Sequence, residues 1–297
     1  MKYGAIDIGS NAMRLLIAEV KAQNGKTTLK KVQLVRVPVR LGAEVFDNGK
    51  ISEYNAVRLA KSINAFKLLT QVYGVKHFWA CATSAMREAI NQKEIVHLVE
   101  ELTDVEIEVI SGAREAKLIQ STFETQNLDI SKTYLYIDVG GGSTELSVLK
   151  NGQPVASKSF KIGTVRLLKE KVHKSVWKDL VDFAQEQVGQ SEDLVAMGSG
   201  GNINKLVKLA PNSNIRSRDI SLKDIQGLLK ELEPLTVEER MDLYDLKEDR
   251  ADVIVPAGLI YETVLRKTNL DSIFVPKIGL ADGMVYHMSK LKKYNGL

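Results

Sequence analysis

The chain has 297 residues, of which 44% are hydrophobic and 26% are charged, and its formal net charge is +4 at pH 7. This composition is ordinary for a globular protein, and the length is greater than that of a common single domain, so we expect two domains. Basic and acidic residues are interleaved, unlike the basic stripe of a nucleic-acid-binding protein, and no apolar stretch approaches the roughly 20 residues of a membrane span.

The chain opens with a predicted β-hairpin, "YGAIDIGSNAMRLLIAEV", in which two apolar strands flank a tight turn of small residues. The pattern recurs as "YLYIDVGGGSTELSVL" at residues 134–149, where Asp138 stands 131 residues after Asp7 and Gly140 aligns with Gly9. An internal repeat of this kind predicts two related halves, each presenting one glycine loop.

Each repeat places an aspartate in an apolar strand and a second charged residue seven positions later, Arg14 in the first half and Glu145 in the second. Because side chains alternate along a strand, these four groups point away from their apolar neighbours, and we predict that they meet in one cleft. A desolvated carboxylate needs a partner, which a bound cation and phosphate supply, since Asp holds Mg²⁺ and glycine lets backbone N–H groups approach phosphate oxygens. The alternative is that each aspartate only caps a turn.

The remaining segments alternate between helix and strand patterns. We predict a helix at residues 51–74, strands at "HFWACAT" and "VEIEVI", and a strand, glycine turn and helix at "DLVAMGSGGNINKL". This order predicts the α/β class, with mixed sheets flanked by helices. Gly200 and Gly201 precede the last of these helices, where a backbone anion nest is common, and a tight turn without a ligand is the alternative.

The cysteine and histidine content indicates the cellular compartment of the protein and whether it holds structural zinc. The single cysteine, Cys81, excludes an intrachain disulfide, and the four histidines show no metal-ligand spacing. The N-terminus passes directly into an apparent strand, which is not the pattern of a secretory signal. We therefore predict a cytoplasmic protein without structural zinc.

Seven blocks of sequence stand in one order along the chain: "AIDIGSNAMRLLIAEV", "ATSAMREAIN", "EVISGAREAKLI", "YIDVGGGSTELSVL", "SFKIGTVRLLKE", "MGSGGNINKL" and "RADVIVPAGLI". From about residue 3 to about residue 290, the chain resembles the exopolyphosphatase and guanosine pentaphosphate phosphohydrolase (Ppx/GppA) family of the acetate and sugar kinase, Hsp70 and actin superfamily. The resemblance implies two actin-like (ribonuclease H-like) domains, 1–126 and 127–297, with the active site in the interdomain cleft. A C-terminal helix at about 280–297 is expected to pack back on the first domain. Longer members continue into a helical region, so the resemblance marks this chain as a short form.

The resemblance also implies roles for individual residues. Asp7 and Asp138 are expected to hold Mg²⁺. Glu115, in "ISGAREA", is implied as the catalytic glutamate, and Glu145, in "GGGSTE", as a second catalytic residue that orients the attacking water. The implied phosphate-binding residues are Gly9, Ser10, Asn11, Arg14, Arg87, Gly140, Gly141, Gly142, Ser143, Gly200 and Gly201. The basic residues expected to line a substrate channel are Arg166, Lys205 and Lys208.

Simpler interpretations exist for several of these residues. If Ser111 caps a helix, Glu115 lies in its first turn, where any acid is favoured by the helix dipole. Arg87 can pair with Glu88 or another surface acid. The three channel residues, taken one at a time, are more often solvated than engaged with a ligand.

Three positions depart from the family pattern. Ala12 stands where the family commonly has a hydroxyl residue, Arg114 replaces the first acid of "ISGxEEA", and "LADG" at 280–283 stands in place of "LREG". None of these departures replaces an implied metal ligand or catalytic glutamate, so activity is expected.

The predicted activity is Mg²⁺-dependent hydrolysis of the terminal phosphoanhydride of inorganic polyphosphate, with release of orthophosphate. One alternative is a hydrolase of guanosine pentaphosphate or another nucleotide, and another is a non-catalytic phosphate-ligand sensor or actin-like assembly protein. A sugar kinase is a fourth. No nucleic-acid or membrane partner is expected, and the oligomeric state is left open, with a homodimer as one assembly that the sequence permits.

Overall fold

The structure, a computed structural model, describes residues 1–23, 26–123, 128–188, 193–211 and 218–291. It divides into two compact units, a first unit of Met1–Asn127 with Ile278–Leu297 and a second unit of Leu128–Lys277. The domain boundary expected at residues 126 and 127, and residues 292–297 of the expected C-terminal helix, lie outside the described residues.

The first unit is built on a five-stranded mixed sheet with the strand order β3-β2-β1-β4-β5. The first three strands pair antiparallel, and β1, β4 and β5 pair parallel. The strands are β1 (Lys2–Ile8), β2 (Met13–Gln23), β3 (Lys26–Val37), β4 (His77–Ala82) and β5 (Ile107–Val109). The helices are α1 (Leu41–Asn48), α2 (Glu53–Val72), α3 (Ser84–Glu88), α4 (Gln92–Thr103), α5 (Gly112–Gln120) and α13 (Leu280–Lys290).

The C-terminal helix α13 packs on the first unit, against β1, β2 and α5. Its approach to α5 requires a glycine, because a Cβ on Gly283 would lie 2.2 Å from the carbonyl oxygen of Leu118. Asp282, one residue earlier, is buried and forms an ion pair with Lys31 of β3 at 2.7 Å. The segment "LADG" thus anchors α13 to the first unit by one close backbone contact and one ion pair.

The second unit is built on a six-stranded mixed sheet with the strand order β10-β11-β9-β6-β7-β8. The strands are β6 (Thr133–Val139), β7 (Thr144–Lys150), β8 (Gln153–Phe160), β9 (Leu194–Ser199), β10 (Asp219–Ser221) and β11 (Ser272–Phe274). The helices are α6 (Thr164–Leu168), α7 (Lys174–Val188), α8 (Gly201–Leu209), α9 (Leu222–Leu232), α10 (Val237–Tyr244), α11 (Glu248–Ala251) and α12 (Ile254–Lys267). Apolar side chains of the strands and of α7, α8, α9 and α12 form one buried core.

The two sheets repeat the same plan, because an antiparallel three-strand meander is followed in each by parallel strands beside its first strand. The hairpin turns are also equivalent. The N–H of Gly9 donates to the carbonyl of Ala12 at 3.2 Å. At the equivalent position 131 residues later, the N–H of Gly140 donates to the carbonyl of Ser143 at 2.9 Å. The predicted internal repeat, hairpins and mixed sheets flanked by helices are therefore confirmed.

Across all described residues, no helix combines the length and the apolar character that crossing a bilayer requires.

Candidate functional site

In the first unit, one row of the sheet collects charged side chains. Cross-strand pairing places Arg14, Asp7, Cys81 and Glu108 opposite one another on β2, β1, β4 and β5. Asp7 is only 5% exposed, and its Oδ2 accepts a hydrogen bond from Nη1 of Arg14 at 2.9 Å. The charge of Asp7 is therefore compensated within the hairpin by the residue that the repeat aligns with Glu145.

The buried thiol of Cys81 reports which acids lie nearby. Its pKa is raised well above the ordinary value, first by burial and then by the negative charges of Glu108, Asp7 and Glu115, whereas Arg114 lowers it. The strand register places Asp7 directly beside this thiol. Glu115, at the start of α5, belongs to the same unit and acts on the thiol only through its charge.

The helix that carries Glu115 begins after Ser111, which is the condition that the simpler interpretation of this glutamate required. Ser111 caps α5 by accepting a hydrogen bond from the N–H of Arg114 at 3.2 Å, so Glu115 lies in the first turn. Arg87 donates from Nη1 to the carbonyl of Ile110 at 2.7 Å, directly before the cap. Arg87 thereby supports the loop that leads to Glu115, an arrangement that the sequence did not predict.

The first glycine loop is held from one side by the segment that starts α1. The N–H of Gly42 donates to the carbonyl of Ser10 at 2.8 Å, and the N–H of Arg40 donates to the carbonyl of Asn11 at 3.0 Å. The hydroxyl of Ser10 is buried and hydrogen-bonded to that of Ser84 at 2.7 Å. The hydroxyl of Ser10 is thus engaged by a side chain of the same unit.

In the second unit, the equivalent row of the sheet is Ser159, Glu145, Asp138 and Ser199 on β8, β7, β6 and β9. Glu145 is 2% exposed, and its Oε1 accepts hydrogen bonds from Ser143 at 2.7 Å and from Ser159 at 2.9 Å. The carboxylate is thus fixed beside the last residue of the glycine loop, on the face that strand alternation predicted.

Asp138 lies at the end of a chain of hydroxyl groups. The Tyr136 hydroxyl donates to Oγ of Ser199, which donates to Oδ1 of Asp138 at 2.7 Å, and the Tyr261 hydroxyl donates to the carbonyl of Ser199. Burial, and then the charge of Asp138, raises the pKa of both tyrosines well above the usual value, so both remain protonated donors. Tyr136, Ser199 and Tyr261 were missed from sequence, although two of them stand inside the quoted blocks, because nothing in a local pattern shows which distant polar group a hydroxyl reaches.

The second glycine loop, Gly140–Ser143, is held by α6 in the same way as the first loop is held by α1. The N–H groups of Thr164 and Val165 donate to the carbonyls of the first two glycines at 3.0 and 2.9 Å. Nε of Arg166 donates to the carbonyl of the third glycine at 2.8 Å. Gly163 allows this contact, because a Cβ there would lie 2.4 Å from the carbonyl oxygen of Gly141.

The side chain of Arg166 is not solvated, contrary to the simpler interpretation of the sequence. It is 7% exposed and bonded to a loop carbonyl, so that alternative is wrong. The reason is a tertiary contact with a loop 24 residues away.

The other two predicted channel residues lie on α8. Lys205 donates to the carbonyl of Asp245 at 3.2 Å, and Lys208 is exposed about 10 Å further along α8 than Gly201. Their channel role stays a prediction.

The third glycine turn lies beside Asp138. Gly200 has φ +111°, and a Cβ there would lie 3.6 Å from Oδ1 of Asp138. Arg250, at the end of α11, donates from Nη1 to the carbonyl of Gly201. Two glycine segments of the second unit therefore adjoin one aspartate. Arg250 was not singled out from sequence, although its block "RADVIVPAGLI" was.

The donor set suits a magnesium ion that shares its ligands with substrate and water. Among the described residues, no group of three or more His, Cys, Asp or Glu side chains could hold a metal by themselves. Mg²⁺ usually keeps several waters and takes one or two carboxylates plus phosphate oxygens, so a partly exposed aspartate beside glycine loops fits it. Asp138 is the more accessible of the two predicted ligands, because Asp7 is buried against Arg14.

The repeated mixed sheets with their aspartate and glycine hairpins define an actin-like α/β protein with phosphate-loop geometry. The chain belongs to the Ppx/GppA phosphatase family, whose model matches residues 16–292. The predicted family, fold class and enzyme class are confirmed.

Curated relatives and a solved structure agree with this assignment. Exopolyphosphatase 1 of Mycobacterium tuberculosis is 25% identical over 96% of this chain and 87% of its own length. A guanosine-5'-triphosphate,3'-diphosphate pyrophosphatase of Photobacterium profundum is 27% identical over 99% of this chain but 60% of its own length. The crystal structure of an exopolyphosphatase from Cytophaga hutchinsonii has a TM-score of 0.84 and 25% identity, with 97% of both chains covered.

Proposed function

We propose that this protein is an exopolyphosphatase that hydrolyses the terminal phosphoanhydride of inorganic polyphosphate and releases orthophosphate with Mg²⁺. The observation that carries the proposal is the Gly140–Ser143 loop, in which all three glycine carbonyls accept hydrogen bonds from α6. Backbone N–H groups bind the first two carbonyls, and the side chain of Arg166 binds the third. In a planar trans peptide, the C=O and N–H groups point in opposite directions. The N–H groups of Gly141, Gly142 and Ser143 are therefore directed away from α6, as a nest for phosphate oxygens requires.

Hydrolysis of a phosphoanhydride asks the protein mainly to position the reactants and to neutralise charge. The loop N–H groups would bind the terminal phosphoryl group, and a Mg²⁺ ion at Asp138 would offset the negative charge of the phosphate oxygens when bound. Glu115 would accept a proton from the attacking water, and Arg87 would hold the loop before Glu115 or contact the phosphate directly. Glu145, fixed by Ser143 and Ser159, would help to orient the water.

The substrate is proposed to be polyphosphate rather than a nucleotide. Relatives carry names of both kinds, so the distinction rests on the chain itself. Residues 198–209 contain no aromatic side chain, and the guanidinium of Arg250 lies over Gly201, with Nη2 3.0 Å from where a Cβ would be. The nearby ring of Tyr261 is fully buried and offers no stacking face. This surface favours a polyanion over a purine base.

Orthophosphate release from long-chain polyphosphate, guanosine pentaphosphate and ATP, at equal concentrations of terminal phosphate and with Mg²⁺, tests the proposal. We expect polyphosphate to give the highest kcat/KM. A clear preference for guanosine pentaphosphate would move the assignment to the nucleotide hydrolase, and phosphate binding without release from any substrate would move it to the sensor. The cytoplasmic location and a homodimer remain predictions of the sequence.

A further inference from the structure

We propose that Arg166 is a positioning residue that sets the direction of the Ser143 N–H group in the phosphate loop. This inference deepens the proposed function and rests on it, because it takes the loop to be the phosphate site. Nothing in the sequence blocks distinguishes this role from that of a residue lining a substrate channel, whereas the geometry of the side chain does.

The first step is the hydrogen bond itself. Nε of Arg166 donates to the carbonyl of Gly142 at 2.8 Å, and the side chain is 7% exposed. The peptide that carries this carbonyl also carries the N–H of Ser143, which must point the opposite way. A charge-assisted hydrogen bond to the carbonyl thus holds the Ser143 N–H on the ligand side and polarises it as a donor.

The first glycine loop holds its equivalent carbonyl in a comparable way. Asn11 is the residue of the first loop that aligns with Gly142, and its carbonyl is held by the backbone N–H of Arg40 at 3.0 Å. The same carbonyl is therefore braced in both loops, by the main chain in the first unit and by a side chain in the second. Only the second brace can be removed by a substitution that leaves the backbone connections of the loop unchanged.

Burial supplies the third step. A residue that contacts successive phosphates of a polymer exposes its charged end to the solvent-filled path of the substrate. Arg166 instead points its Nε at a carbonyl inside the unit, while its own N–H donates to the carbonyl of Gly141 at 3.2 Å. Its effect on a bound phosphate is accordingly transmitted through the loop, so we expect it to be the same for short and long substrates.

The test compares Arg166→Gln, Arg166→Lys and the matched control Lys171→Gln, which removes an exposed charge five residues away. We expect Arg166→Gln to lower kcat/KM by about tenfold to a hundredfold, the range for one hydrogen bond to a charged group, and by the same factor for tripolyphosphate and long-chain polyphosphate. Arg166→Lys keeps the charge, but its ammonium cannot take the position of Nε, so it should restore little of the rate. Lys171→Gln should match the wild type.

Two results would overturn the proposal. A loss of kcat/KM that grows with chain length would make Arg166 a direct substrate contact. Full recovery in Arg166→Lys would mean that charge alone matters and that the geometry of the brace does not. The lysine variant keeps the aliphatic stem in the core, so it carries the test if the glutamine variant does not fold.

Binding of inorganic phosphate, measured by calorimetry, separates this inference from the proposed function. If the wild type binds phosphate but cleaves no substrate, the proposed function fails, and the affinities of the variants still decide the role of Arg166. We expect both variants to bind phosphate at least tenfold more weakly than the wild type. Equal affinity in Arg166→Gln would overturn the inference even if hydrolysis is established.

Discussion

Asp138 and Glu145 lie opposite each other in the antiparallel register of β6 and β7, where the first unit has Asp7 opposite Arg14. Both repeats therefore have an aspartate at this position of the first strand, but the residue opposite it is an arginine in the first unit and a glutamate in the second. Asp7 is neutralised by a guanidinium at 2.9 Å, whereas Asp138 faces a second carboxylate and accepts from the hydroxyl of Ser199. Two carboxylates on neighbouring strands attract a cation, and this pair is the reason that the proposed function has Mg²⁺ at Asp138.

Asp138→Asn should therefore change the magnesium dependence of the enzyme. The amide keeps the shape and the hydrogen bond from Ser199 but removes the charge, so we expect a rate loss that saturating Mg²⁺ does not fully restore. Orthophosphate release as a function of Mg²⁺ concentration measures this effect. A titration that coincides with that of the wild type would remove Asp138 from the metal site.

The hydrogen bonds from Tyr136 to Ser199 and from Ser199 to Asp138 predict which of two substitutions destabilises the protein more. Ser199→Ala removes the acceptor of the hydrogen bond from the buried Tyr136 hydroxyl, so we expect the free energy of unfolding to fall by about 1–3 kcal/mol. Tyr136→Phe removes the donor and leaves the bond from Ser199 to Asp138 in place, so its loss should be smaller, about 0.5–1.5 kcal/mol. Urea unfolding of the two variants gives both numbers, and the reverse order would contradict this account of the chain.

Gly163 predicts a large effect from one added methyl group. A Cβ would lie 2.4 Å from the carbonyl oxygen of Gly141, so Gly163→Ala must displace the phosphate loop. A displacement near 1 Å is expected to lower kcat/KM by about a hundredfold. The matched control is Gly227→Ala in α9, where a Cβ meets nothing within 4 Å. That variant should keep its activity and gain about 0.5–1 kcal/mol of stability, and similar kinetics in both variants would disprove the close contact.

Asp282 predicts a pH dependence of stability. Burial raises the pKa of its carboxyl, although the ion pair with Lys31 opposes the shift. Because the folded state binds this proton more tightly than the unfolded state, the contribution of Asp282 to stability rises as pH falls through the folded pKa toward the unfolded value. The free energy of unfolding of the wild type minus that of Asp282→Asn should therefore increase between neutral pH and about pH 4. A difference that decreases over this range would mean that the ion pair dominates.

Local patterns predicted most of the framework. The repeat of Asp7 at Asp138, both hairpins and the Ser111 cap before Glu115 depend on neighbouring residues, and each is present in the structure. Alternation along β7 also placed Glu145 on the same face as Ser143, where the two are hydrogen-bonded.

The contacts that shape the site could not be predicted in this way, because they join segments distant in sequence. Arg166 is bonded to a carbonyl 24 residues away, and Tyr136 reaches Ser199 across 63 residues. Gly163 has an extended backbone that any residue can adopt, so only the approach of the neighbouring loop makes a glycine necessary there.

The most direct test of the central claim is orthophosphate release from long-chain polyphosphate with Mg²⁺, by the wild type and by Glu115→Gln at equal concentrations. Glu115→Gln changes one carboxylate to an amide of the same shape and removes the proposed proton acceptor, so we predict rapid release by the wild type and a kcat lower by about 10²–10⁴ in the variant, with phosphate affinity unchanged. Turnover at the wild-type rate in a correctly folded variant, or no release by the wild type, would contradict the account.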